Sequence, residues 1–224
     1  MASPSPLRRA LLAGATGLVG RAMLPMLARG HASVDLLLRR PVPGLGDEAR
    51  VRSHVVDFAR LEGHVPAVDD VFIALGTTIG VAGSEAAFRA VDFDAVASTA
   101  RAARAAGATR LALVSALGAD AGSRVFYNRV KGEAEDAVAA LGYVSVVIAR
   151  PSLLLGDREA LGQPVRCMEA LAMRFSRPLG WVVPRGVRPI AAVDVAAALV
   201  QATARGAPGV KILASGDMQG AAAG

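Results

Sequence analysis

Cysteine, lysine and aromatic side chains are scarce in this 224-residue sequence: one Cys, two Lys, and 4% Phe, Trp and Tyr together. The lone Cys167 cannot form an intrachain disulfide, so stability must come from a packed core. So few thiols fit a reducing compartment, and a cytoplasmic protein is the expectation. Positive charge is carried almost wholly by arginine, with no basic run longer than a pair, although the net charge is +6. Without basic tracts and interleaved aromatics, no nucleic-acid partner is expected. No apolar run reaches the ~18 uncharged residues of a membrane span, so no membrane partner is expected either. Arg8-Arg9 and the apolar run behind them resemble a signal peptide. That run holds regularly spaced glycines and no small-residue cleavage site follows it, so it reads as strand and turn. Internal repeats and low-complexity tracts are also missing.

What is present is apolar residue, 53% of the chain, enough for a sizeable core in one domain spanning 1–224. Short apolar runs at 11–13, 34–38, 51–57, 71–75, 111–114, 144–149 and 210–214 read as strands. Between them lie helical stretches: one through residue 28 closed by Gly30, an Ala-rich one from a Ser84 cap to Gly107, and one over 124–141 closed by Gly142. A further helix is expected over 192–205. Alternating strands and helices predict an α/β fold, a doubly wound, mainly parallel sheet with helices on both faces. The Pro/Gly-rich segment 156–190, with a helix at 165–175, is expected to form a small substrate-side elaboration. The Gly/Ala tail 216–224 is expected to be disordered.

The first strand breaks into Gly14-Ala15-Thr16-Gly17-Leu18-Val19-Gly20. Strand, glycine turn and helix N-terminus in this order open a dinucleotide-binding βαβ unit of the Rossmann type. Gly14 suits the turn, Gly17 admits a pyrophosphate, and Gly20 lets the helix pack on its strand. Thr16, Leu18 and Val19 belong to the same cradle, where free N–H groups and the helix dipole favour phosphate. The alternative is a glycine-rich turn such as any α/β protein carries.

Where the second strand ends, Arg39 and Arg40 stand in place of the acidic residue that holds the ribose of NAD. Guanidinium pairs well with a 2′-phosphate, so NADP(H) is expected in preference to NAD, unless the two are an ordinary solvated pair. Asp57, followed by Phe58, is placed to accept from the adenine amino group or to cap a loop. Leu75-Gly76-Thr77 ends the fourth strand where backbone passes the adenosine. No metal site is suggested.

Tyr127 and Lys131 lie four apart in a predicted helix, on one face. An ammonium beside a phenol favours the phenolate, and a tyrosine so tuned can exchange the proton that accompanies hydride transfer at a carbonyl. Ser115, closing the fifth strand, can hydrogen-bond the same oxygen. With two lysines among 224 residues, chance pairing at this spacing is on the order of 2%.

These features together resemble the short-chain dehydrogenase/reductase superfamily, above all its atypical and extended branches, over about residues 7–155. The stretch 75–78 and the run from Tyr127 to Glu135 are similar to the Tat-interacting-protein oxidoreductase-like subgroup. The resemblance implies that Ser115 and Tyr127 carry catalysis, that Lys131 also holds the nicotinamide ribose, and that Arg150-Pro151 forms the turn near the nicotinamide. The relay asparagine of many relatives has no evident counterpart, since Asp92 and Asp94 stand in that helix. The expected activity is NADP-dependent hydride transfer between the cofactor and a small carbonyl or alcohol, by a monomer or homodimer. Two alternatives stand beside it: a cofactor-sensing regulator acting through a partner, and a nucleotide-sugar epimerase or dehydratase. Regulatory relatives typically lack the Tyr/Lys pair, and the extended enzymes carry larger C-terminal domains.

Overall fold

A computed structural model describes residues 7–46, 49–155, 184 and 186–223. Seven parallel strands form its sheet: β1 (Arg9–Ala13), β2 (Ser33–Leu38), β3 (Val51–Val55), β4 (Asp70–Ile73), β5 (Arg110–Val114), β6 (Ser145–Arg150) and, numbered last, β9 (Gly209–Ala214). Their order is β3-β2-β1-β4-β5-β6-β9. The chain winds one way from β1 through β2 to β3 and the other way from β4 onward. A crevice therefore opens at the carboxyl ends of β1 and β4, where such folds bind ligands.

The inner strands are buried on both faces, as their unbroken apolar runs require. Alternate residues of one strand feed two cores. On one face Leu12, Leu36, Phe72 and Val147 pack with Met23 and Leu27 of α1 (Leu18–Gly30) and Val195 and Leu199 of a late helix (Ala192–Arg205). On the other, Leu11, Ile73, Leu111 and Ile148 meet Val96, Ala100 and Ala103 of α4 (Val96–Ala105), and Ala134 and Val138 of α5 (Phe126–Ala139). Alanines on α4 let that helix lie close to the sheet. The late helix, α6 below, starts and ends where its sequence predicts.

Several elements differ from expectation. Gly30 is the last helical residue of α1, not the residue after it: the His31 N–H closes the helix on Leu27 O at 2.9 Å. Ser84 does cap the Ala-rich helix, its Oγ accepting from Ala87 N at 3.1 Å. That helix is interrupted, however. After a one-turn α2 (Ile79–Ala82) comes α3 (Glu85–Arg89), then a wide π turn over Ala90–Ala95 before α4. A second, two-stranded parallel sheet joins β7 (Leu154–Leu155) to β8 (Ile190–Ala191). The helix expected at 165–175 and Cys167 lie outside the described residues.

The tail is ordered over its described residues, 216–223, which corrects the expectation of disorder there. A short helix, α7 (Ser215–Met218), buries Met218 completely in the first core, and Asp194 Oδ1 accepts from Ala222 N at 3.0 Å. Glycine and alanine dominate the composition there, and one buried methionine outweighs them. Among the described residues no helix is long and apolar enough to cross a membrane.

At the amino ends of the strands, opposite the crevice, Asp70 is 2% exposed; Arg8 Nε donates to its Oδ1 at 2.8 Å, and His31 Nε2 lies 3.2 Å from Oδ2. Burial pushes this carboxyl up, but hydrogen bonds from His31 and Arg8 and the guanidinium charge outweigh it, holding the group below the usual carboxylate range. The folded chain thus takes up this proton less readily than the unfolded one. The contribution is present above the unfolded value of about 3.9 and is lost as pH falls through the lower folded value. Asp70→Asn should therefore lower the urea midpoint at neutral pH, with the gap to wild type closing in acid. A gap independent of pH would show that the carboxylate's charge contributes nothing.

Candidate active site at the sheet switch point

Strand register builds the site. Ala13 pairs with Leu37 on one side and Ile73 on the other, so Gly14 emerges between the ends of β2 and β4. Gly14 has φ +95°, and a Cβ there would sit 2.4 Å from Ala74 O. Glycine is required for both reasons. A Cβ on Gly20 would meet Gly14 O at 2.1 Å, so α1 packs against the turn only because this residue has none. Gly17 caps α1 in extended conformation (φ −82°, ψ 167°), and no side chain caps the helix. A Cβ at Gly17 would find nothing nearer than 3.5 Å. The first N–H groups of α1, at Leu18, Val19 and Gly20, thus belong to a helix start that no side chain caps, the arrangement that suits a pyrophosphate. Thr16 is exposed at the rim of the same turn.

Arg39 and Arg40 follow β2 directly beside this turn, both exposed. Val56 N donates to Leu38 O at 2.9 Å and leads into Asp57, which is also exposed. Asp57 Oδ1 accepts from Ala59 N at 2.9 Å, so one carboxylate oxygen is committed to closing its turn. Phe58 packs on the second core. Across the crevice Leu75, Gly76 and Thr77 continue β4, with Gly76 exposed.

Tyr127 and Lys131 share a face of α5. The Tyr127 ring is half-buried and leans on Phe88 of α3, centroids 5.3 Å apart and planes 37° apart. No described residue hydrogen-bonds its hydroxyl. Lys131 is buried, and its Nζ lies 2.7 Å from Oδ1 of Asp92, a fully buried carboxylate on the π turn. The second oxygen, Oδ2, accepts from Thr77 N at 2.9 Å. A Cβ on Gly76 would stand 3.4 Å from Asp92 Oδ1 and 3.6 Å from Lys131 Nζ. The ammonium is therefore tethered to the loop that flanks the glycine turn.

Ser115 directly follows β5, yet its hydroxyl donates to Glu135 Oε1, four residues beyond Lys131 on α5. Arg150 grips the same carboxylate, Nη2 to Oε2 at 2.6 Å and Nε to Oε1 at 3.1 Å. Hydrogen bonding to Glu135 holds the Arg150 guanidinium still more firmly protonated. Pro151 is buried, and its carbonyl accepts from Leu117 N at 2.8 Å, which joins the loops after β5 and β6. A hollow of about 290 Å³ lies against Glu135, Arg150, Asp120 and Asp136; no residue of the glycine turn lines it, so it is not the crevice.

Asp92, Glu135 and the Arg150 side chain were not among the residues singled out for chemistry in the sequence. The signal for Asp92 is an acid within the apolar run Val91-Phe93-Ala95-Val96. For Glu135 it is the continued four-residue spacing from Tyr127 through Lys131.

Sheet topology and glycine turn together define an α/β protein of the dinucleotide-binding Rossmann type. The chain belongs to the NAD(P)H-binding family, which matches residues 14–171. It is similar to "Protein FMP52, mitochondrial" of Coccidioides immitis (strain RS), 33% identical over 186 residues, 76% of this chain and 74% of that protein. The protein of that name from Eremothecium gossypii is 40% identical over 154 residues, covering 67% and 68%. Among solved structures, the Bordetella bronchiseptica enzyme WbmG in complex with NAD has a TM-score of 0.69 at 16% identity, covering 96% of this chain and 75% of that one. That likeness is one of fold.

The names of these relatives overturn the expectation of a cytoplasmic protein, since both are mitochondrial. A single cysteine excludes a disulfide framework, but it does not distinguish one reducing compartment from another.

Proposed function

We propose that the protein is an NADP-dependent oxidoreductase interconverting a small carbonyl and the corresponding alcohol, with Tyr127 as general acid and base. One observation carries this reading: Tyr127 shares a helix face with a buried Lys131 whose ammonium is held beside Gly76, at the loop facing the phosphate turn. The uncapped helix start at Gly17 fits the dinucleotide's pyrophosphate, Lys131 its ribose, and Arg39 and Arg40 a 2′-phosphate. When bound, NADP(H) supplies or takes up the hydride at the substrate carbon. In reduction Tyr127 gives its phenolic proton to the carbonyl oxygen and regains one from water. In oxidation the phenolate takes the alcohol proton, and Lys131 stabilises that phenolate. Ser115 has given its hydrogen to Glu135, so in this arrangement the proton exchange rests on Tyr127 alone.

The test is NADPH consumption by the purified protein on a panel of aldehydes, ketones and quinones. Turnover of at least one class supports the reading. The rival, a cofactor sensor acting through a partner, draws on the engagement of Ser115 by Glu135. Tight NADPH binding with no reduction across the panel would favour it.

Cofactor choice is tested separately. The doubly substituted Arg39→Ala/Arg40→Ala protein should lose about 1–3 kcal/mol of NADPH affinity by calorimetry, with little change for NADH. Equal losses for the two, or a wild type preferring NADH, would return the arginines to ordinary loop residues.

A further inference from the structure

Lys131 does not stand alone beside Tyr127. Its ammonium contacts Asp92, which is fully buried and cannot be reached by bulk water. Asp92 comes from the π turn, Ala90–Ala95, where the widened backbone departs from the α3–α4 spiral. Such turns recur at functional sites. The same carboxylate holds the Thr77 amide, so one side chain links the cofactor-side loop to the lysine.

We propose that Asp92 is a positioning residue for Lys131: it anchors the ammonium at the Gly76–Thr77 loop and, as its counter-ion, restrains ionisation of Tyr127. The inference rests on the reading of Tyr127 as the proton carrier. An unpaired ammonium favours a neighbouring phenolate, whereas an ammonium 2.7 Å from a carboxylate forms a compact dipole with a much weaker field. Among the other charges on α3, the π turn and α5, Glu85 is exposed and Glu135 is held by Ser115 and Arg150. Arg89 of α3 pairs with Glu133 of α5 at 2.5 Å, and Arg129 donates to Ser123 O at 3.0 Å. Asp94 of the π turn is exposed. Asp92 is thus the buried anion that meets the lysine.

The chain permits a direct reading. It has two tyrosines. Tyr143 is buried, its hydroxyl donates to Ala100 O at 2.6 Å, and burial pushes its ionisation far up in pH. Tyrosinate absorbance on raising pH in the folded protein therefore reports Tyr127. Asp92→Asn keeps the shape and an acceptor for the Thr77 amide while removing the charge. Its tyrosinate signal should appear about one pH unit lower than in wild type. The pH profile of NADPH-dependent reduction should lose its alkaline limb correspondingly earlier. Should Asp92→Asn fail to fold, Asp92→Ser offers a smaller neutral acceptor. A tyrosinate titration unmoved, or moved to higher pH, in the folded neutral variant would overturn the proposal and leave Asp92 a structural tie. The titration needs neither cofactor nor substrate. A protein that reduces nothing on the panel therefore fails the oxidoreductase reading while still deciding the role of Asp92.

Discussion

Tyr127→Phe is expected to lower NADPH-dependent turnover by ~10²–10⁴, the usual share of general acid–base catalysis, with NADPH affinity nearly unchanged. The structure makes this a clean substitution. The Tyr127 ring packs on Phe88, a contact that phenylalanine keeps. Its hydroxyl bonds no described residue, so removing it leaves no buried partner unsatisfied. The loss should fall on kcat and kcat/KM alike, as for an interaction made in the transition state. Thermal stability should match wild type. If turnover persists at the wild-type rate, the proton comes from another group and the assignment of Tyr127 is wrong.

Gly17→Val is expected to abolish measurable dinucleotide binding in a protein that still folds. The three glycines of the turn differ in what a side chain would do. At Gly14 a Cβ would be driven into the Ala74 carbonyl, and at Gly20 into that of Gly14, so substitution at either breaks the packing of α1 on the sheet. At Gly17 the backbone is extended, a conformation that β-branched residues adopt readily, and the nearest atom to a Cβ is 3.5 Å away. The valine methyls would instead fill the space before the first N–H groups of α1 and exclude a pyrophosphate. Circular dichroism should be unchanged while calorimetry with NADPH shows no heat. Wild-type affinity in the folded variant would place the phosphates elsewhere.

Much of this arrangement is written locally. The glycine spacing 14, 17 and 20 specifies a strand, a turn and a helix start: the positive φ of Gly14 and the contact of Gly20 with Gly14 are local, although the close approach of Gly14 to Ala74 comes from the neighbouring strand. Ser84 at its helix start and the limits 192–205 of α6 are likewise short-range matters of capping and periodicity, whereas α5 ends at Ala139, three residues short of the Gly142 expected to close it. The apolar runs of the inner strands specify a sheet covered on both faces, and the four-residue spacing of Tyr127 and Lys131 specifies a shared helix face. Those patterns sufficed for the fold class and for the outline of the crevice.

What tertiary structure decided are the contacts between residues far apart in the chain. Asp92 meets Lys131 across 39 positions of sequence because a π turn, which no spacing of apolar residues announces, aims it inward. Ser115 is turned to Glu135, and Glu135 to Arg150, by the register of β5 beside β6, so the serine's hydrogen is committed where composition leaves it free. The tail is ordered because Met218 finds a place in a core assembled from β1, α1 and α6. Each outcome depends on burial, and burial is a property of the assembled layers: a buried carboxylate or methionine gains a partner only once the sheet and its helices have fixed the distance between them.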